Sequence, residues 1–115
     1  LIDSADRPLP AAVQGPETRK GLPQALRLEQ NAPNPFNPET QISFALPKGG
    51  PVSLEVYDVL GQRVRSIWEG VLQTGYYTMR WNGRDDHGRP AASGVYIYRL
   101  ETEGQIMAKR MVLVR

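Results

Sequence analysis

The residues with the most chemistry in this chain stand side by side: Asp85, Asp86 and His87, in the segment Trp81-Asn82-Gly83-Arg84-Asp85-Asp86-His87-Gly88. Asn82, Asp85 and Asp86 offer the oxygen ligands that calcium takes in sets of roughly six to eight. The spacing is not the Asp-x-Asp-x-Asp-Gly with a distant Glu that makes a calcium loop specific. Asn-Gly and Asp-x-x-Gly are also ordinary turn chemistry. The expectation is a structural turn, with Asn82, Asp85 and Asp86 as the weak metal candidates. His87, the one histidine of the chain, lies beside two acids as a general base would. Acid–base catalysis needs a nucleophile, a base and an orienting group converging in a cleft, and no such set is visible. Ser93 lacks the Gly-x-Ser-x-Gly elbow of a nucleophilic serine. Neither a catalytic residue nor a cofactor is expected.

Two other sets of side chains could recognise something. Tyr57, Tyr76, Tyr77, Tyr96, Tyr98, Trp68 and Trp81 could stack on sugar rings. Tyr77, Trp81, Tyr96 and Tyr98 fall on the inward period of their strands and read as core. Trp68 and Tyr76 are the aromatics expected to be exposed, and so the candidates for a glycan platform. The chain then finishes Lys109-Arg110-Met111-Val112-Leu113-Val114-Arg115, with no acid after Glu103. Positive charge on such a strand can protect an edge from pairing with another chain, or it can be read by a partner.

The elements that must position these groups are short and turn-rich. The chain has 115 residues, 11 glycines, 10 prolines and no cysteine, which indicates one domain without a disulfide framework. A net charge of +2 from 14 basic and 12 acidic residues makes no case for nucleic acid as a partner. No apolar run approaches the roughly 20 residues that span a bilayer, so no membrane insertion is expected. Residues 1–24 carry Pro8, Pro10, Pro16 and Pro23 without a sustained period. They read as a semi-extended interdomain linker from a larger protein, or in part as a docked edge strand.

From residue 25 onward the period is two. Leu26 and Leu28 suggest a first short strand; Ile42, Phe44 and Leu46, then Val52, Leu54 and Val56, alternate with polar neighbours. Gly61 suits a left-handed position in the connection that follows. The inward face of the stretch from Arg63 to Trp68 is ambiguous. Tyr77, Met79 and Trp81 alternate again, Val95 to Leu100 is apolar on both faces as in a central strand, and Ile106 to Val114 is the last run. Phe36, alone among Asn and Pro residues, is placed to plug one end of the core. Strands separated by such short turns leave no room for parallel crossovers. The fold class is all-β, an antiparallel immunoglobulin-like β-sandwich of about seven strands over residues 25–115.

Several motifs occur in a fixed order: Asn-Pro-Phe-Asn-Pro-Glu-Thr (34–40), Ile-Ser-Phe-Ala-Leu-Pro (42–47), Val-Tyr-Asp-Val-Leu-Gly-Gln-Arg-Val (56–64), Trp-Asn-Gly-Arg-Asp (81–85), and Ser-Gly-Val-Tyr-Ile-Tyr-Arg-Leu (93–100) before the basic and aliphatic finish. Together they resemble the C-terminal sorting domain of type IX secretion cargo, in the variety similar to the immunoglobulin-like domain of the flagellar hook-capping scaffold. The resemblance spans roughly residues 26–115. It implies a non-enzymatic module at the end of a secreted or surface-attached protein, covalently linked to an upstream cargo domain. It also implies outer-membrane export and attachment proteins as partners. The positions that match the family's export features are Gly94, Tyr96, Lys109, Arg110, Met111, Val112, Leu113 and Val114. Family members often space two lysines across the last strand, where this chain has Lys109 and Arg110 adjacent.

Three functions follow as expectations. The first is sorting and surface attachment, with capture of the last strand by strand addition as the mechanism. The second is a structural or assembly module of the hook-scaffold kind. The third is a carbohydrate-binding module built on Trp68 and Tyr76.

Overall fold

The computed structural model of the chain describes residues 21–115 and the backbone of Ala11–Ala12. The rest of the expected linker lies outside the described residues. The strands are β1 (Ala11–Ala12), β2 (Arg27–Leu28), β3 (Thr40–Leu46), β4 (Gly50–Tyr57), β5 (Arg63–Leu72), β6 (Gly75–Trp81), β7 (Gly94–Thr102) and β8 (Gln105–Leu113). They form two four-stranded sheets in the orders β1-β6-β3-β2 and β5-β4-β7-β8, with every ladder antiparallel. This is the immunoglobulin-like sandwich expected from the alternation.

The period of two does the sorting. In β3, Ile42, Phe44 and Leu46 face the core; in β4, Val52, Leu54 and Val56; in β7, Tyr96, Tyr98 and Leu100; in β8, Met111 and Leu113. All are buried. Side chains of alternate residues leave a pleated strand on opposite faces, so each strand delivers one apolar row to the space between the sheets. Val95, Ile97 and Arg99 take the outer face of β7, which lies inside its sheet between β4 and β8.

The β4–β5 connection is held by Asp58. Its carboxylate accepts from the amides of Leu60 (2.9 Å) and Gln62 (3.0 Å), and Gly61 closes the turn at φ +83°. That backbone region is nearly free of cost only for glycine.

One expectation fails here. Trp68 is buried, at 9% exposure, and not presented to solvent. The β4–β5 register steps from Leu54↔Trp68 to Glu55↔Ser66, leaving Ile67 without a partner. A bulge of this kind breaks the alternation locally, and it puts Ile67 and Trp68 both on the core side. Trp68 therefore packs with the core opposite Leu54. Tyr76 keeps the outward parity of β6 but is only half exposed. The two aromatics proposed as one platform belong to different sheets.

Tyr98 ties the sheets together. Its hydroxyl donates to the Glu29 carbonyl (2.7 Å) and accepts from the Asn31 amide (2.8 Å), linking β7 to the segment after β2. Buried Asn31 extends the link, donating to the Thr40 hydroxyl (3.0 Å) and the Pro33 carbonyl (3.1 Å). Each of these buried polar groups has a partner, so its burial carries little penalty. Burial raises the Tyr98 phenol to about 12.

Candidate functional site

The loop with the acids and histidine proves to be a built corner. Asp85 accepts at Oδ1 from the amides of His87 and Arg89, both at 2.9 Å, and at Oδ2 from Arg89 Nε at 3.3 Å. Bonds from those amides, the Arg89 amide foremost, hold its carboxyl below the usual range. Asp86 accepts at Oδ1 from the Ser66 amide (2.9 Å), and its own amide donates to the Val64 carbonyl (2.9 Å). Its Oδ2 pairs with Arg63 at 3.2 Å. Asn82 accepts from the Arg84 amide. The oxygens considered for calcium are thus aimed at backbone donors, and among the described residues no three acids or histidines converge. His87 is exposed and contributes its backbone amide to the turn.

Gly83 shows why the corner is tight. Its φ is +76°, and a Cβ there would lie 2.8 Å from the Pro38 carbonyl oxygen. Trp81 closes the underside by donating its indole N–H to the Arg84 carbonyl at 2.9 Å. Its ring meets Phe36 at 5.8 Å and Tyr96 at 5.5 Å, tilted and edge-on. These are the offset geometries that aromatic quadrupoles favour. Phe36 does plug the core at this end.

The terminal strand is built differently. It pairs with β7 from Gly94↔Leu113 to Thr102↔Gln105 and forms one edge of its sheet. Met111 and Leu113 are fully buried and anchor it, while Lys109 is half buried and Arg110 exposed. Neither cation has an ionic partner among the described residues. Gly94 and Tyr96 act as framework. Gly94 faces Leu113 at φ +153°, and Tyr96 donates to the Ala92 carbonyl at 2.6 Å. Burial raises the Tyr96 phenol, as does the nearby Asp58 carboxylate.

A clasp around the end of β8 was not visible in the sequence. The Phe36 amide donates to the Val112 carbonyl (3.0 Å), and the Val114 amide donates to the Phe36 carbonyl (2.9 Å). Phe36 thus adds one parallel bridge outside Leu113. Asn34 Oδ1 accepts from the Val112 amide (2.9 Å), and Gln30 Nε2 donates to the Arg110 carbonyl (2.7 Å). On the other side Arg115 enters the acidic corner. Its amide donates to Ser93 Oγ (2.8 Å), and its guanidinium donates to the carbonyls of Ala91 and Gly83, both at 2.6 Å. The Asn-Pro-Phe-Asn spacing was a signal for the Phe36 plug. The reach of Asn34 and Gln30 to a strand nearly eighty positions away had none.

Fold and clasp together define an immunoglobulin-like module whose last strand is an edge clasped at one end and exposed at the other. The chain belongs to the FlgD Ig-like domain family: residues 31–105 match that family's model, ending where β8 begins. No curated protein matches the chain. Three solved structures are similar in fold. Dimeric latent PorU from Porphyromonas gingivalis has 24% identity and a TM-score of 0.61, over 74% of this chain and 9% of that one. PorZ from the same organism is described as an essential bacterial surface component of the type-IX secretion system. It has 20% identity and a TM-score of 0.50, over 78% of this chain and 11% of PorZ. FlgD from P. aeruginosa has 26% identity and a TM-score of 0.51, over 65% and 60%. This chain therefore corresponds to a small part of the first two proteins and less than two thirds of the third.

Proposed function

We propose that this domain is a C-terminal sorting and surface-attachment module of a larger secreted protein, recognised by export or attachment proteins through β8. The observation that carries the reading is the cation pair Lys109–Arg110, without an ionic partner among the described residues, on an edge strand that begins where the family match ends. The family fold supplies the sandwich, and β8 adds to it charges that no described acid neutralises. The likeness in fold to PorZ, a surface component of a type-IX system, supports placing the parent protein at the cell surface. The recognised partner would be an outer-membrane export or attachment protein.

The test fuses the full chain to the C-terminus of a reporter in a host with a type-IX system. It then compares the wild type with Lys109→Glu/Arg110→Glu. Deleting 109–115 would be a poor test, because it removes Met111 and Leu113 from the core. The charge reversal spares both. Loss of export or of surface retention with an unchanged melting temperature is the expected result. Unchanged export in the charge-reversed fusion would sink the reading. The FlgD family membership favours one second reading, an assembly module in which the domain joins a scaffold. In that case the fusion is not exported, but the domain co-assembles with its parent's partners.

A further inference from the structure

The two halves of β8 differ in what their backbone has left to offer. The Val112 amide and carbonyl both bond outward to the clasp, which fixes the parity of the strand. In an antiparallel ladder, residues alternate between facing their partner strand and facing away. Met107, Lys109 and Met111 therefore bond to β7, while Ile106, Ala108, Arg110 and Val112 direct their main-chain groups outward. The clasp takes those of Val112 and the Arg110 carbonyl. The amides and carbonyls of Ile106 and Ala108, and the amide of Arg110, have no partner among the described residues.

The same stretch is open to solvent on both faces. Residues 105–108 are exposed, Ile106 to 59% and Met107 to 37%, whereas Met111 and Leu113 on the closed half are fully buried. At the far edge of this sheet, β5 is covered at Val64 and Ser66 by Asp86. The domain thus performs strand addition on itself at 112–114 and leaves the outward groups of Ile106 and Ala108 and the Arg110 amide open among the described residues.

We propose that residues 106–110 of β8 are a strand-addition site for an extended segment of a partner protein that sets two aliphatic residues opposite Ile106 and Met107 and two acids opposite Lys109 and Arg110. This rests on the sorting reading above and gives it a location and a ligand chemistry. Main-chain bonds to Ile106, Ala108 and the Arg110 amide would supply affinity, and side chains on each face would supply selection. Lys109 on one face and Arg110 on the other each call for an acid. Ile106 and Met107 each call for an aliphatic group. A second copy of this chain does not fit. β8 contains no acid, so self-pairing would bring two lysines and two arginines onto one short ladder. Those charges guard the edge against its own kind and select for an acidic strand.

The test uses proline as a selective blocker. Ala108→Pro deletes an outward N–H and none of the bonds to β7, and proline is tolerated on edge strands where its nitrogen faces away. The probe is a synthetic capped peptide with a glutamate pair and a valine pair on either side of one threonine, the order that an antiparallel partner needs, and the control carries lysines in place of the glutamates. Amide shifts and exchange of the full chain are followed by NMR. The glutamate peptide should protect Ile106 and Ala108, and the lysine peptide should not. Losing one main-chain bond should weaken binding roughly tenfold in Ala108→Pro. In the reporter fusion, Ala108→Pro should impair export as Lys109→Glu/Arg110→Glu does.

Equal response to both peptides, or protection elsewhere, would overturn the site. If charge reversal stops export and Ala108→Pro does not, strand addition fails while the sorting reading stands. If neither alters export, both fall. Ile106→Pro, of the same parity, is the second variant. If both prolines lower the melting temperature substantially, the edge has been drawn on the wrong register and the proposal is lost.

Discussion

The acidic loop 82–93 and the strand β8 differ in how much of their polar capacity folding has already used. The loop has the reactive residue types, yet Asp85, Asp86 and Asn82 direct their oxygens to backbone amides and Arg63. β8, whose basic residues the sequence already marks, holds two cations without ionic partners among the described residues and a run of outward main-chain groups. Capacity to recognise lies in donors, acceptors and charges that folding has not already used. Residue type shows what a group could do; only its partners show whether it is still available.

That contrast can be broken most forcefully at the clasp. Phe36 plugs the core and pairs with the end of β8. Phe36→Ala should cost about 3–5 kcal/mol, seen as a lower midpoint in urea unfolding. A loss under roughly 1 kcal/mol would mean the β8 end is held without it.

The parity of β8 gives the next effect. Met107→Pro removes an amide that bonds to β7 and should cost about 1–3 kcal/mol. Ala108→Pro should stay within roughly 1 kcal/mol of the wild type. Equal melting temperatures for the two would erase the difference between bonded and open sides.

Tyr98 tests the closed interior. Because its folded phenol, at about 12, lies above an unfolded value near 10, the folded state binds the proton more tightly. Its contribution is complete below pH ~10 and is lost as pH rises through the folded value, on the order of 2 kcal/mol. Tyr98→Phe should flatten that alkaline decline. It should also cost about 1–3 kcal/mol at neutral pH by stranding the Asn31 amide and Glu29 carbonyl. An unchanged alkaline slope in the variant would assign the decline to another group.

The smallest effect is local to the loop. Asp85 has a lowered folded pKa, so its support for the corner is present above its unfolded value and fades as pH falls through the folded one. Asp85→Ala should speed amide exchange at His87 and Arg89 at neutral pH while leaving Ile106 and Ala108 unaltered. Faster exchange at those β8 positions would show that loop and edge are one cooperative unit.

Much of this was legible beforehand. Alternation alone placed Ile42, Leu54, Tyr77 and Trp81 in the core, because a pleated strand has two faces and one of them must be dry. Turn chemistry marked Asn82-Gly83 and the Asp85 corner as a bend. The motif set pointed to the family that the comparison then matched. Trp68 escaped because a one-residue bulge in β5 reverses parity without leaving a mark in composition.

The sequence by itself determined the sandwich, its inner rows and the basic finish, since period and turn residues act over short distances along the chain. Only the tertiary structure decided which groups remain unspent. Gln30, Asn34 and Phe36 reach β8, Arg115 reaches Gly83, and Asp86 covers β5, all through contacts between residues distant in the chain. Whether a backbone amide is satisfied depends on what folds against it, and no local pattern records that.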